Sequence, residues 1–272
     1  MHDDASALEY TGERMIPERA SARTFWEHVG RYRFAKDQVR GQRVLDIACG
    51  EGYGAAALVR AGAASVIGVD IAEDACLHAQ RKYGIDARPG NAEAIPLPDR
   101  SVDVVVSFET IEHLADPRLF LAECARILTP DGRLIVSTPN RPVYSSQGQH
   151  NPFHQNEVDE AEFVAQLEKH FATITLFTQF PKSAAWWSPR SLAAERSPWL
   201  RIKGFWRLSA WFCPSKRSEL SQAARNSAVE SILAPVRWSS ALFDPYLVRR
   251  RSAWGHEHPY YLIALAERIK PG

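Results

Sequence analysis

Residues 43–54, RVLDIACGEGYG, constrain the fold of this chain more than any other stretch. An apolar run of Val44, Leu45 and Ile47, with Asp46 set inside it, leads into Gly50, Gly52 and Gly54. The alanine-rich AAALVRAG that follows can start a helix. A buried strand that enters a glycine turn and then a helix lets backbone N–H groups approach a ligand closely. The next apolar run, ASVIGVD, ends in Asp70, 20 residues after Gly50. A dinucleotide-type fold places a carboxylate there to accept hydrogen bonds from ribose hydroxyls. The glycine spacing is G-x-G-x-G, not the G-x-G-x-x-G of nicotinamide-binding proteins. It suits a nucleoside cofactor with a small charged tail better than a pyrophosphate cradled by a helix.

Two further segments, GNAEAIPLPDRSVDVVVSFETIEHLADP (90–117) and CARILTPDGRLIVSTPN (124–140), continue the pattern. In this order the motifs resemble the class I S-adenosylmethionine-dependent methyltransferases, type 11-like, over residues 40–180 and a last strand at 260–268. The resemblance implies S-adenosylmethionine as cofactor and a methyltransferase activity. It also implies an α/β fold with a doubly wound, mostly parallel seven-stranded sheet whose last strand is antiparallel. On this basis backbone groups around Cys49, Gly50 and Gly52 contact the methionine portion, and Asp46 holds the loop or the amino group. Asp70 binds the ribose hydroxyls, while Asn91 and the Ala92 N–H address the adenine edge between Ile71, Ile95 and Leu97. Asn91 stands where the family often has Asp, and its amide oxygen can still accept from the adenine amino group. The N-terminal region is expected to lie over the cofactor, with Arg31 or Arg14 pairing with the methionine carboxylate. Surface arginines on an amphipathic helix are the equal alternative.

Alternating apolar runs and helical patterns argue for a parallel sheet covered on both faces. Strands are predicted at 43–48, 65–70, 102–108, 132–137, 172–180 and 260–268, and helices at 53–61, 73–82, 117–128 and 159–169. Residues 1–40 read as an N-terminal helical lid, 41–180 as the cofactor-binding core and 255–272 as the final strand. Between them, residues 181–254 hold seven of the eight tryptophans and 13 Lys/Arg against 4 Asp/Glu. A connection this long is usually functional or has structure of its own. It is expected to form a helical cap that recognises the acceptor.

SFETIEHLADP (107–117) falls at the carboxyl end of a predicted strand, where open α/β sheets bind ligands. If Glu109 opens a helical turn, Glu112 and His113 project from the same side. Two carboxylates and an imidazole suit Mg²⁺, Mn²⁺ or Fe²⁺, with His154 as a fourth ligand. The arrangement is similar to metal-dependent enzymes that methylate RNA 2′-hydroxyls or catechol-like hydroxyls. Without a metal, His113 serves as a general base steered by Glu112.

Composition narrows the partners. A net charge of +1 gives no global drive towards nucleic acid or membrane. Cys49, Cys76, Cys124 and Cys213 lack CxxC spacing and read as buried thiols in a reducing compartment. The acidic start, MHDDASALEY, has no apolar core of a secretory signal, so a cytoplasmic location is expected. TGERMIPE, WEHVGRYRFA and STPNRPVYS with NPFHQNE resemble bacterial methyltransferases associated with surface polysaccharide assembly. That resemblance favours a sugar hydroxyl of a glycan or glycosylated metabolite as acceptor. Three alternatives stay open: metal-dependent 2′-O-methylation of RNA, methylation of a catechol or quinone-type small molecule, and a non-catalytic scaffold touching membranes through 201–217. No residue pattern fixes the oligomeric state.

Overall fold

The computed structural model describes residues 14–17, 19–144, 151–179, 248–250 and 259–270. The expected tryptophan-rich cap therefore lies outside the described residues, apart from 248–250, and so does 201–217. Eight strands form one sheet: β1 (Arg43–Ile47), β2 (Ser65–Asp70), β3 (Asp86–Pro89), β4 (Val102–Phe108), β5 (Leu128–Pro139), β6 (Phe171–Gln179), β7 (Val248–Arg250) and β8 (Tyr261–Ile269). Their order is β3-β2-β1-β4-β5-β8-β6-β7. The first five are mutually parallel, and β8 runs antiparallel to both β5 and β6. This is the expected doubly wound sheet of seven strands, with the three-residue β7 added at the edge beside β6.

Helices α1 (Ala22–Lys36), α2 (Tyr53–Arg60), α3 (Glu73–Tyr83), α4 (Pro117–Ile127), α5 (Arg141–Tyr144) and α6 (Glu160–Leu167) complete the described elements. The unbroken valine run of β4 has residues to bury on both faces, as a strand inside a covered parallel sheet does. Val104 and Val106 join a core with Phe25, Tyr32 and Val39 from α1 and 37–42, Leu58 from α2 and Cys76 from α3. Val105 faces the other core, with Phe120 and Leu121 of α4 and Phe163 of α6. The N-terminal helix is thus a structural layer with Phe25, Val29 and Ala35 fully buried.

After β1 the chain builds outwards through β2 and β3, then returns to place β4 on the other side of β1. Loops at the carboxyl ends of β1 and β4 diverge at this reversal, which opens a crevice. Gly52, with φ +93°, and Gly54 let the first loop pack down. A Cβ on Gly52 would stand 2.5 Å from the Ala79 Cβ, and one on Gly54 would fall inside the Tyr32 ring.

Candidate active site

A cleft of about 640 Å³ opens at that reversal. Its walls come from the ends of β1 (Ile47 to Gly50), β2 (Asp70, Ile71), β3 (Gly90 to Ala92) and β4 (Phe108 to Thr110), and from α1, α2 and the start of β8. Asp70 stands at the centre of the first group. Its Oδ2 accepts from the Gly50 N–H at 2.8 Å and its Oδ1 from the Ala72 N–H at 3.0 Å. The carboxylate therefore pins the glycine loop and caps the turn into α3. Ala48 (φ +58°) and Gly50 (φ +54°) turn the loop backbone into the cleft. Cys49 lines the wall, but burial, reinforced by Asp46 and Asp70, pushes its thiol far up and keeps it protonated. Asn91 and Ala92 line the β3 end, and Asn91 Oδ1 already accepts from the Glu93 N–H at 2.8 Å.

Several expected contacts are redistributed. Asp46 and Gly52 do not line the cleft. Asp46 is buried beneath Tyr32, whose hydroxyl lies 3.1 Å from both carboxylate oxygens. Gly52 serves helix packing against Ala79. Ile71 is on the wall, whereas Ile95 and Leu97 belong to the core beneath it. Arg31 is fully buried and does not line the cleft. It donates to Gln179 Oε1 at 3.0 Å, stands 3.9 Å from Glu109 Oε1 and lies 4.6 Å from the Tyr261 ring centre. Burial opposes its charge, but Glu109, Tyr261, Glu27 and Tyr53 around it outweigh that and hold it protonated. Arg14 does reach the cleft, and it pairs with Asp74 at 3.3 Å.

At the β4 end the expected helical turn is a single 3-10 turn, Ile111–His113, and Glu109 precedes it in a left-handed conformation (φ +53°). Glu109 is thereby separated from the expected ligand set. Its Oε1 accepts from the Ser137 hydroxyl at 2.8 Å and faces Arg31. Glu112, His113 and His154 do come together, with their ligating atoms within 4.8 Å of one another. The Glu112 carbonyl accepts from the N–H groups of Gln155 and Asn156, which docks the His154 loop onto the turn. His113 Nδ1 lies 3.1 Å from the Phe153 carbonyl, and His154 Nδ1 lies 2.8 Å from Glu157 Oε1. A carbonyl can only accept, so His113 donates from Nδ1, and in its neutral form the ring's basic nitrogen is Nε2.

Residues not singled out from sequence complete the walls. Glu27, His28 and Tyr32 come from α1, Tyr53 from α2, Tyr144 from α5, and Tyr260 and Tyr261 from the β8 end. Tyr144 stacks on His154 at 5.2 Å, and Tyr260 meets both Tyr144 and Tyr261 edge-on. Glu27, His28, Arg31 and Tyr32 share one face of α1 within the WEHVGRYRFA segment.

Residues 45–136 match the family model described as a methyltransferase domain. The centre of this chain is thus similar to methyltransferase domains. The chain is 45% identical over 168 residues to "Probable S-adenosylmethionine-dependent methyltransferase/" of Mycolicibacterium smegmatis, covering 60% of this chain and 65% of the relative. A similarly named protein of Mycobacterium tuberculosis is 41% identical over 167 residues, 60% of each. The chain thus spans about three fifths of the length of these curated relatives. A ubiquinone biosynthesis O-methyltransferase of Chelativorans sp. is 40% identical over 119 residues, 42% of this chain and 47% of that one. Among solved structures, an S-adenosylmethionine-dependent methyltransferase of Thermotoga maritima, named as a "possible histamine N-methyltransferase", has a TM-score of 0.57 at 20% identity over 90% of each chain. One from Archaeoglobus fulgidus scores 0.53 at 20% identity, over 92% of this chain and 96% of its own. At such identities the likeness shows the fold alone.

Proposed function

We propose that this chain transfers the methyl group of S-adenosylmethionine to a hydroxyl oxygen, with His113 as general base. The observation that carries the reading is the contact of His113 Nδ1 with the Phe153 carbonyl at 3.1 Å. The Nδ1–H is held by that carbonyl, so in the neutral ring Nε2 is the basic nitrogen of a residue lining the cleft beside β4. The cofactor supplies an electrophilic methyl on a sulfonium. Asp70, Gly50 and Ile71 fit its adenosine, since a carboxylate between the β1 and β2 ends is where ribose hydroxyls are held in such crevices. The acceptor oxygen forms the new O–C bond as the S–C bond breaks, and its proton passes to His113 Nε2. S-adenosylhomocysteine and the methyl ether are the products. A positioned base of this kind contributes on the order of 10²–10⁴-fold. Glu112, fully buried beside His113, is the residue proposed to steer it.

For the acceptor, a sugar hydroxyl of a bacterial glycan or glycosylated metabolite is the reading proposed here. Support comes from Tyr144, Tyr260 and Tyr261, whose rings line the β5 and β8 side of the cleft and offer apolar faces with polar tips. Mass spectrometry of surface glycan and glycosylated metabolites from a deletion strain tests it: one O-methyl mark should disappear. Unchanged methylation would remove the glycan reading.

A second reading is favoured by the Glu112, His113 and His154 cluster and by the likeness to ubiquinone biosynthesis O-methyltransferases. A divalent cation held there would lower the pKa of a catechol-type hydroxyl and orient it. Both histidines have Nδ1 tied to an acceptor, which is how metal-ligating imidazoles are usually oriented.

A further inference from the structure

Arg31 does not line the cleft, which leaves Arg14, paired with Asp74, and the polar groups of α1 and α2 to meet the amino-acid end of the cofactor. The strand order indicates where that end must lie. Adenosine belongs to the β2 and β3 ends, around Asp70 and Asn91, and the reacting methyl must face His113 at the β4 end. The remaining arm of the sulfonium is then directed to the wall made by α1 and α2. The polar groups there that line the cleft are Thr24, Glu27, His28, Tyr32 and Tyr53; Tyr32 is engaged by Asp46 and Glu27 by the Tyr261 hydroxyl. His28 Nδ1 and the Tyr53 hydroxyl are 3.0 Å apart. Tyr53 is itself fixed by an edge-on contact with Tyr32 at 5.4 Å.

We propose that the hydrogen-bonded pair His28 and Tyr53 binds the amino-acid end of S-adenosylmethionine, an inference that rests on the cofactor reading above. A Tyr53 hydroxyl that donates to His28 Nδ1 makes Nε2–H the outward donor, suited to a carboxylate oxygen. The reverse tautomer lets the Tyr53 oxygen accept from the ammonium group. Either way the pair offers one donor and one acceptor to a zwitterionic tail. Burial and the nearby Arg31 charge keep His28 neutral, so recognition here is by hydrogen bonds and not by an ion pair.

Comparing two probes tests the pair. S-adenosylhomocysteine carries the amino-acid arm, whereas 5′-methylthioadenosine has the same adenosine and thioether without it. Tyr53→Phe keeps the ring in the core and should weaken S-adenosylhomocysteine about tenfold, with methylthioadenosine affinity unchanged. His28→Ala should do the same, and His28→Gln, which retains a donor, should recover part of the loss. Retained methylthioadenosine binding certifies that each variant is folded. Equal losses for both probes, or none for either, would overturn the assignment. A wild-type protein that binds neither probe would instead overturn the cofactor reading itself.

Discussion

The Tyr32 hydroxyl on α1 sits 3.1 Å from both carboxylate oxygens of Asp46 on β1, joining the N-terminal helix to the strand that feeds the glycine loop. Burial, with the Asp70 charge nearby, pushes the Asp46 carboxyl up to about 7, against the opposing pull of the Tyr32 hydroxyl and the Ala55 N–H. Its folded-state pKa therefore exceeds the unfolded value of about 3.9. The folded state binds this proton more tightly, so the stabilisation is full below pH 4 and is lost as pH rises through 7. Asp46→Asn should flatten the dependence of Tm on pH between 4 and 7 relative to wild type. Parallel curves for the two proteins would show that Asp46 does not titrate in this window.

Gly54 faces the Tyr32 ring so closely that no side chain fits. Gly54→Ala should lower stability by on the order of 1–3 kcal/mol, the usual effect of overpacking, measured by urea denaturation. A neutral effect would mean that Tyr32 is free to move.

Arg31 is a buried cation between Gln179, Glu109 and the Tyr261 ring, while Glu27 is held separately by the Tyr261 hydroxyl at 3.1 Å. Arg31→Met should cost roughly 3–5 kcal/mol by leaving buried carboxylates uncompensated. Because Arg31 does not line the cleft, S-adenosylhomocysteine affinity of the folded fraction should change little. A selective loss of that affinity with stability intact would restore Arg31 as a cofactor clamp.

His113 and His154 separate the two mechanisms. His113→Ala should reduce turnover on the order of 10²–10⁴-fold while S-adenosylhomocysteine still binds. With His113 as a plain base, His154→Ala and excess EDTA should leave most of the activity. Loss of activity in EDTA, restored by Mg²⁺ or Mn²⁺, would establish the metal reading instead.

The parts of this fold that were legible from sequence are those that local pattern dictates. The valine run of β4, the alternation of strands and helices, and the 20-residue step from Gly50 to Asp70 all survive in the structure. β3 was missed because Asp-Ala-Arg-Pro is polar and short and becomes a strand only by pairing with β2. The helical turn expected from Glu109 failed because its positive φ turns the carboxylate towards Ser137. The burial of Arg31 was not legible for another reason: its partners Gln179 and Tyr261 are remote in the chain, and burial of a charge leaves no periodic trace. His28 and Tyr53 were passed over likewise, since their contact exists only once α1 lies against α2.

The most direct test of the cofactor assignment is calorimetric titration of wild type and Asp70→Ala with S-adenosylhomocysteine and with NAD. Wild type should bind one S-adenosylhomocysteine per chain. Asp70→Ala should weaken it by tenfold or more, since charge-assisted hydrogen bonds are worth roughly 1.5–3 kcal/mol each. No binding by wild type, or tighter binding of NAD, would contradict the assignment.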